Sequence, residues 1–297
     1  MGIRIPLAPL ACILILRSAD VTADGARDWE NVPVDTNILF LYYTYSNSEA
    51  SVDPSLPIKG VEVDAHVPLV RYARTFALGD RVAGFQLIVP YGFVDARLKG
   101  TRLSTDTEGL GDITAIFLAN LFGAPALTRQ EFQTWTAGPF LTASMAVTLP
   151  TGDYDKDALL NVGKHRWALK PQLSFGAPFG RGGLLAINGN VQVFSDNSEN
   201  RNGRLEQAPL YGIEAHLSHD IGKRAWLSLD TFYAYGGTTR VGGEDQDNRQ
   251  RTLRLGVSGS YSFTATTAVS TAVTRTVQRE DYTPAATTFS INVNHAF

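Results

Sequence analysis

Cysteine is nearly missing from this chain. Cys12 is the only one among 297 residues, and it lies inside an apolar N-terminal run. Disulfide scaffolding, thiol catalysis and cysteine-ligated metal are therefore not expected. Charge is sparse: only 19% of residues are charged, 26 basic against 29 acidic, and no basic cluster occurs. A net charge of -3 without a basic patch makes a poor nucleic-acid binder. After the first ~20 residues no apolar run is long enough for a membrane-crossing helix.

Catalytic and metal patterns are thin as well. Gly256-Val257-Ser258-Gly259 misses the nucleophile-elbow spacing by one place. His216 and Ser218 share a strand face but stand about 7 Å apart, too far for a direct hydrogen bond. Gly109-Leu110-Gly111-Asp112 resembles a loose phosphate loop, but no helix follows to supply an N-terminal dipole. Asp153, Asp155 and Asp157 alternate as calcium ligands could, without the later bidentate Glu. The reading is thus a non-enzyme with no cofactor and no metal.

What the chain does contain is alternation. Its last residues, Phe289 to Phe297, place Phe, Ile, Val, His and Phe at odd positions and Ser, Asn, Asn and Ala between them. Period two marks a strand with one apolar and one polar face. A chain ending on such a strand needs a partner for its edge, and a closed barrel supplies one by pairing last strand with first. The same alternation recurs from residue 37 onward, with candidate strands over residues 37–46, 58–73, 81–98, 109–122, 132–149, 165–179, 184–195, 210–221, 225–238, 251–263 and 265–279. Short turns alternate with long polar loops, such as 47–57, 99–108, 150–164, 196–208 and 239–250. Short periplasmic turns, long external loops and an even strand number are the pattern of an outer-membrane barrel. The expected fold is all-β: an antiparallel transmembrane β-barrel of about twelve strands over residues 37–297, in the outer membrane of a Gram-negative bacterium.

The N-terminus fits that address. Arg4 followed by the apolar Ile5 to Leu16 reads as a secretory signal over residues 1–23, with small residues at Val21-Thr22-Ala23 and a second candidate cut at Ser18-Ala19. Residues 24–36 then form a polar periplasmic leader. The expected partners are outer-membrane lipid, the outer-membrane assembly machinery acting on the C-terminal strand, and a small hydrophobic solute.

Two side-chain sets follow from the alternation. Polar residues on the lumen face are Glu62, Asp64 and His66 in the second strand, then Lys170, Glu214, His216, Asp230 and Arg254. Pairing about the 220–224 turn sets Ala215 opposite Asp230 and makes Glu214, His216 and Asp230 neighbours, either as a constriction or proton-sensitive gate or as a structural network. Aromatics near strand ends, Trp135, Trp167, Trp226, Tyr233, Tyr235 and Phe297, are expected in interfacial girdles.

One ordered set of motifs carries a resemblance. Gly109, Gly111 and Asp112 enter the fourth strand; Pro150-Thr151-Gly152-Asp153-Tyr154 opens a long loop; Asn161, Gly163 and Trp167 follow. In order and spacing these resemble the meta-pathway phenol-degradation family of outer-membrane proteins, whose members are labelled transporters. The resemblance implies a barrel channel for small hydrophobic or aromatic compounds, moved by passive diffusion through a polar lumen. It carries over no catalytic residues. A lipid-modifying barrel enzyme and a plugged structural barrel are the alternatives.

Overall fold

The computed structural model describes residues 24–50, 60–280 and 283–297. The signal-sequence reading over residues 1–23 lies outside the described residues.

The strands are β1 (Asn37–Ala50), β2 (Val61–Leu78), β3 (Arg81–Leu98), β4 (Ser104–Leu110), β5 (Thr114–Phe122), β6 (Phe140–Thr148), β7 (Ala168–Phe179) and β8 (Gly183–Phe194). They continue with β9 (Leu205–Gln207), β10 (Leu210–Ile221), β11 (Ala225–Gly236), β12 (Thr239–Val241), β13 (Glu244–Asp245), β14 (Gln250–Ser262), β15 (Thr267–Arg279) and β16 (Ala285–Ala296). One short helix, α1 (Arg129–Phe132), sits between β5 and β6.

The barrel is closed and antiparallel. β9, β12 and β13 form a separate small sheet in the loops. β4 and β5 both pair with β3, one above the other, so they are two halves of one strand broken at residues 111–113. Twelve strands remain, and β1 closes the ring by pairing with both β2 and β16. The seam runs Ile38↔Ala296 to Glu49↔Ala285, and Asn37 and Phe297 exchange backbone hydrogen bonds at 3.2 and 2.9 Å.

Along the strands one face looks out and is apolar, while the other looks in. In β10 and β11, Ile213, Leu217, Leu227 and Leu229 are exposed, whereas Glu214, His216, Ser218, Ser228 and Asp230 are buried. A soluble protein would invert this. An outward apolar band, with backbone groups satisfied by a closed ladder, is the arrangement of a transmembrane barrel.

The sequence reading differs from the structure at several points. Residues 99–108, expected as loop, turn back at 99–103 into β4, whose Ser104-Thr105-Asp106-Thr107-Glu108 has no apolar face to reveal it. The strand expected from residue 132 begins at Phe140. Before it, Thr128 and Glu131 close a capping box: Thr128 Oγ1 accepts the Glu131 N–H at 3.3 Å, and Glu131 Oε2 accepts the Thr128 N–H at 2.8 Å. Backbone and hydroxyl donors of Thr128 hold the Glu131 carboxyl below its ordinary range.

The largest correction concerns β2. Glu62, Asp64 and His66 point outward, and Val63, Ala65, Val67 and Leu69 are the buried, inward set. On the outer face Asp64 meets Arg97 at 2.6 Å and Tyr45 at 2.8 Å, and His66 Nδ1 meets the Tyr43 hydroxyl at 2.6 Å. The physical reason is height. Near the long-loop end the strands rise past the apolar band, so the outer face becomes polar and the sense of the alternation reverses. The period is unchanged, which is why period alone misassigned the face.

Candidate functional site: the barrel lumen

The lumen is organised by three features. Each is built from residues distant in sequence.

The first is the mid-barrel network. Register sets His216 opposite Asp230, one place from the expected Ala215. His216 Nδ1 lies 2.7 Å from Asp230 Oδ1, and its Nε2 lies 3.8 Å from Glu214 Oε2. Ser228 Oγ donates to Asp230 at 2.7 Å. From the adjoining wall Asn188 Nδ2 donates to Glu214 at 3.4 Å. Charge in a barrel interior demands this kind of pairing, since an unpaired buried ion is costly. Arg254 stacks over Phe232 at 5.3 Å, on the same inner face as Asp230. Lys170 shares the inner face of β7 with Gln172 and Ser174.

The second is the leader. It crosses the short-turn end and then enters the lumen. Arg27 donates to Asp220 Oδ1 at 2.8 Å, to Ser218 Oγ at 3.0 Å and to the Gly182 carbonyl at 3.2 Å. On the opposite wall Arg71 donates to Asp28 Oδ2 at 3.1 Å, and Thr75 Oγ1 donates to the Pro33 carbonyl at 2.7 Å. Asn31 donates to the Pro125 carbonyl at 3.0 Å, tying the leader to the turn after β5. Asp24 reaches mid-barrel, where its Oδ2 accepts from Trp29 Nε1 at 2.9 Å and from Gln172 Nε2 at 2.5 Å. Burial, with Glu214 alongside, pushes the Asp24 carboxyl up to about 6.

The third is the loop after β6. Residues 149–167 fold back on the break between β4 and β5. Asp112 Oδ1 accepts the Gly152 N–H at 2.9 Å, and Oδ2 accepts the Lys164 N–H at 2.8 Å. Asp153 Oδ2 accepts the Leu110 N–H at 2.7 Å, and Thr151 Oγ1 accepts the Ile113 N–H at 3.0 Å. Gly152 packs on Gly163 so closely that a Cβ on Gly152 would stand 2.7 Å from the Gly163 Cα. The recognisable motif is thus a clasp. It satisfies backbone groups freed where the strand breaks. The clasped loop presents Leu160, buried among inward Val63, Ala65, Val67, Val94 and Ala96, and lays Val162 on Gly92. Leu160 thus closes an apolar cluster on the β2–β3 wall at the long-loop end of the lumen. Sequence reasoning missed it because Val63, Ala65 and Val67 read as lipid-facing and Leu160 lies in a loop.

The aromatic set divides. Tyr233 and Tyr235 face outward at the long-loop end of β11, and Trp167 is exposed just before β7. Phe297 is exposed at the short-turn end. Trp135 packs on Phe132 beside α1, with ring centroids 5.5 Å apart. Trp226 corrects the girdle expectation: it shares the inward parity of Ser228 and Asp230 and lies beneath Arg27 at 5.5 Å. A leader cation needed an aromatic floor, and pattern alone did not distinguish this from an interfacial ring.

A family model described as "Putative MetA-pathway of phenol degradation" matches residues 45–293. Among solved structures, an outer membrane channel from Pseudomonas putida F1 is similar, with a TM-score of 0.80 at 24% identity, covering 93% of this chain and 100% of that one. The beta domain of the Bordetella autotransporter BrkA matches with a TM-score of 0.55 at 9% identity, covering 89% and 100%. The transport unit of the autotransporter AIDA-I from Escherichia coli gives 0.54 at 7% identity, covering 94% of each. No curated protein sequence matches.

Proposed function

The chain belongs to this phenol-degradation family, and on that premise we propose that it is an outer-membrane channel for small hydrophobic or aromatic compounds, working by passive diffusion. The observation that carries the reading is the apolar cluster of Val63, Val67, Val94 and Leu160 on the β2–β3 wall at the long-loop end, above a polar mid-barrel. Water and ions gain nothing from an apolar mouth, whereas an aromatic solute leaves water there at a gain of about 25 cal/mol per Å² of apolar surface covered. Inward of this cluster a phenolic or similar polar group finds donors and acceptors.

The strand break adds a side route. β4 pairs only with β3 among the described residues, and its other edge meets the clasped loop instead of a strand. Loosening the clasp would open the wall toward lipid, which suits a solute that partitions into the bilayer. The leader across the short-turn end makes the path narrow and gated. The enzyme alternative is disfavoured by geometry: His216 Nε2 faces Glu214 rather than a serine, and Ser218 Oγ accepts from Arg27.

Planar-bilayer conductance together with uptake of an aromatic tracer tests the proposal. Uptake that depends on the protein supports it; neither conductance nor uptake would leave a structural barrel.

A further inference from the structure

The backbone nitrogen of Asp24 points at a carboxylate inside the lumen. Asp24 N lies 3.2 Å from Glu214 Oε2. Three carboxylates, Asp24, Glu214 and Asp230, share this part of the lumen with His216, which lies 2.7 Å from Asp230 and 3.8 Å from Glu214, and with Lys170, whose charge acts on Asp24; the direct donors to Asp24 Oδ2 are the neutral Trp29, Gln172 and Asn188. A second observation points the same way. Asn188 donates through Nδ2 to Asp24 at 3.3 Å and to Glu214 at 3.4 Å, while its Oδ1 is buried with no hydrogen-bond partner. The spot thus holds an excess of acceptors. A peptide N–H offers one hydrogen and no charge, whereas an α-ammonium offers three and a full positive charge.

We propose that the peptide bond between Ala23 and Asp24 is hydrolysed, and that the resulting α-ammonium of Asp24 is a second counter-ion of Glu214, beside His216, anchoring the leader inside the barrel. Water supplies the atoms. Its hydroxyl goes to the Ala23 carbonyl carbon, the C–N bond breaks, and its hydrogen goes to the Asp24 nitrogen, which takes a further proton from solvent. The hydrolase class is a signal peptidase, for which Val21 and Ala23 place small residues third and first before the cut. The new charge also offsets the repulsion between the Asp24 and Glu214 carboxylates. Processing and gating are then linked: the cut that releases the chain creates the group that seats its plug.

The test uses the full chain expressed with residues 1–23, extracted from membranes and purified in detergent. Intact mass and N-terminal sequencing read the terminus, and acylation by an N-hydroxysuccinimide ester near neutral pH reads the amine. The expected terminus is Asp24. Pairing that raises the amine's pKa by about one unit slows its acylation about tenfold relative to the urea-unfolded protein. Glu214→Gln should recover most of that rate, while Asp196→Asn, in an outer loop, should not. A terminus other than Asp24, an amine equally reactive in folded and unfolded protein, or protection unchanged in Glu214→Gln would each overturn the proposal. None of these readouts involves transport, so the result stands apart from the channel reading.

Discussion

Asp112 and Gly152 are separated by 40 residues in the chain, yet the Asp112 carboxylate accepts the Gly152 N–H at 2.9 Å. With its other oxygen on the Lys164 N–H, Asp112 binds both ends of the loop that carries Leu160 into the mouth. Asp112→Ala leaves two backbone donors without their partner, at a cost of about 1–3 kcal/mol for a buried group. The expected outcome is local: limited proteolysis cuts residues 155–163 faster, while the barrel's heat-modifiable gel migration is unchanged. Gly152→Val should act in the same direction, since its Cβ would collide with Gly163. Equal cleavage in wild type and both variants would show that the clasp does not hold the loop.

Arg27 should control the short-turn end. It makes three hydrogen bonds to the wall and lies over Trp226. Arg27→Ala removes these without altering any barrel strand, so single-channel conductance should rise while the unfolding midpoint of the barrel moves little. A conductance equal to wild type would argue that the leader does not limit the path.

The faces of β11 make a paired prediction. Leu229 is 63% exposed on the outer face, and its neighbour Asp230 is buried in the lumen. An arginine on the lipid face near the midplane costs about 2–4 kcal/mol. Leu229→Arg should therefore lower folding stability in phospholipid vesicles by that amount, and Ile221→Arg, on the same outer face near the short-turn rim, by far less. Equal effects would contradict the assignment of the lipid-facing band.

At the seam, Phe297 and Asn37 bond each other's backbone. Deleting Phe297 removes the last link of β16 to β1 and an exposed aromatic at the rim. Membrane assembly should fall, read as loss of the fast-migrating folded band in unheated gels. Unchanged assembly would count against the role given to the final strand.

Much of this fold was legible because barrel physics writes itself as period two. The strands over Arg81–Leu98 and Leu210–Ile221 were read to the residue, and His216, Glu214 and Asp230 were placed as neighbours within one register step. What was not legible is instructive. Glu62, Asp64 and His66 alternate as lumen residues do, and only their height above the apolar band turns them outward. Trp226 looks like an interfacial ring until Arg27, some 200 residues earlier, is laid upon it. Leu160 and Val162 sit in a loop, where no period exists to say that they enter the mouth. The Gly-Asp and Pro-Thr-Gly-Asp-Tyr motifs were visible as motifs, but their purpose as a clasp depends on contacts across 40 residues.

The channel claim is tested most directly by uptake of a radiolabelled monoaromatic hydrocarbon at low external concentration. Cells lacking the gene would be compared with the same cells carrying the wild type or a Leu160→Asp variant on a plasmid. The account predicts faster initial uptake with the wild type than without it, and a loss of that gain when the apolar cluster is made acidic, at equal membrane levels of the two proteins. Identical initial rates in all three strains would contradict it.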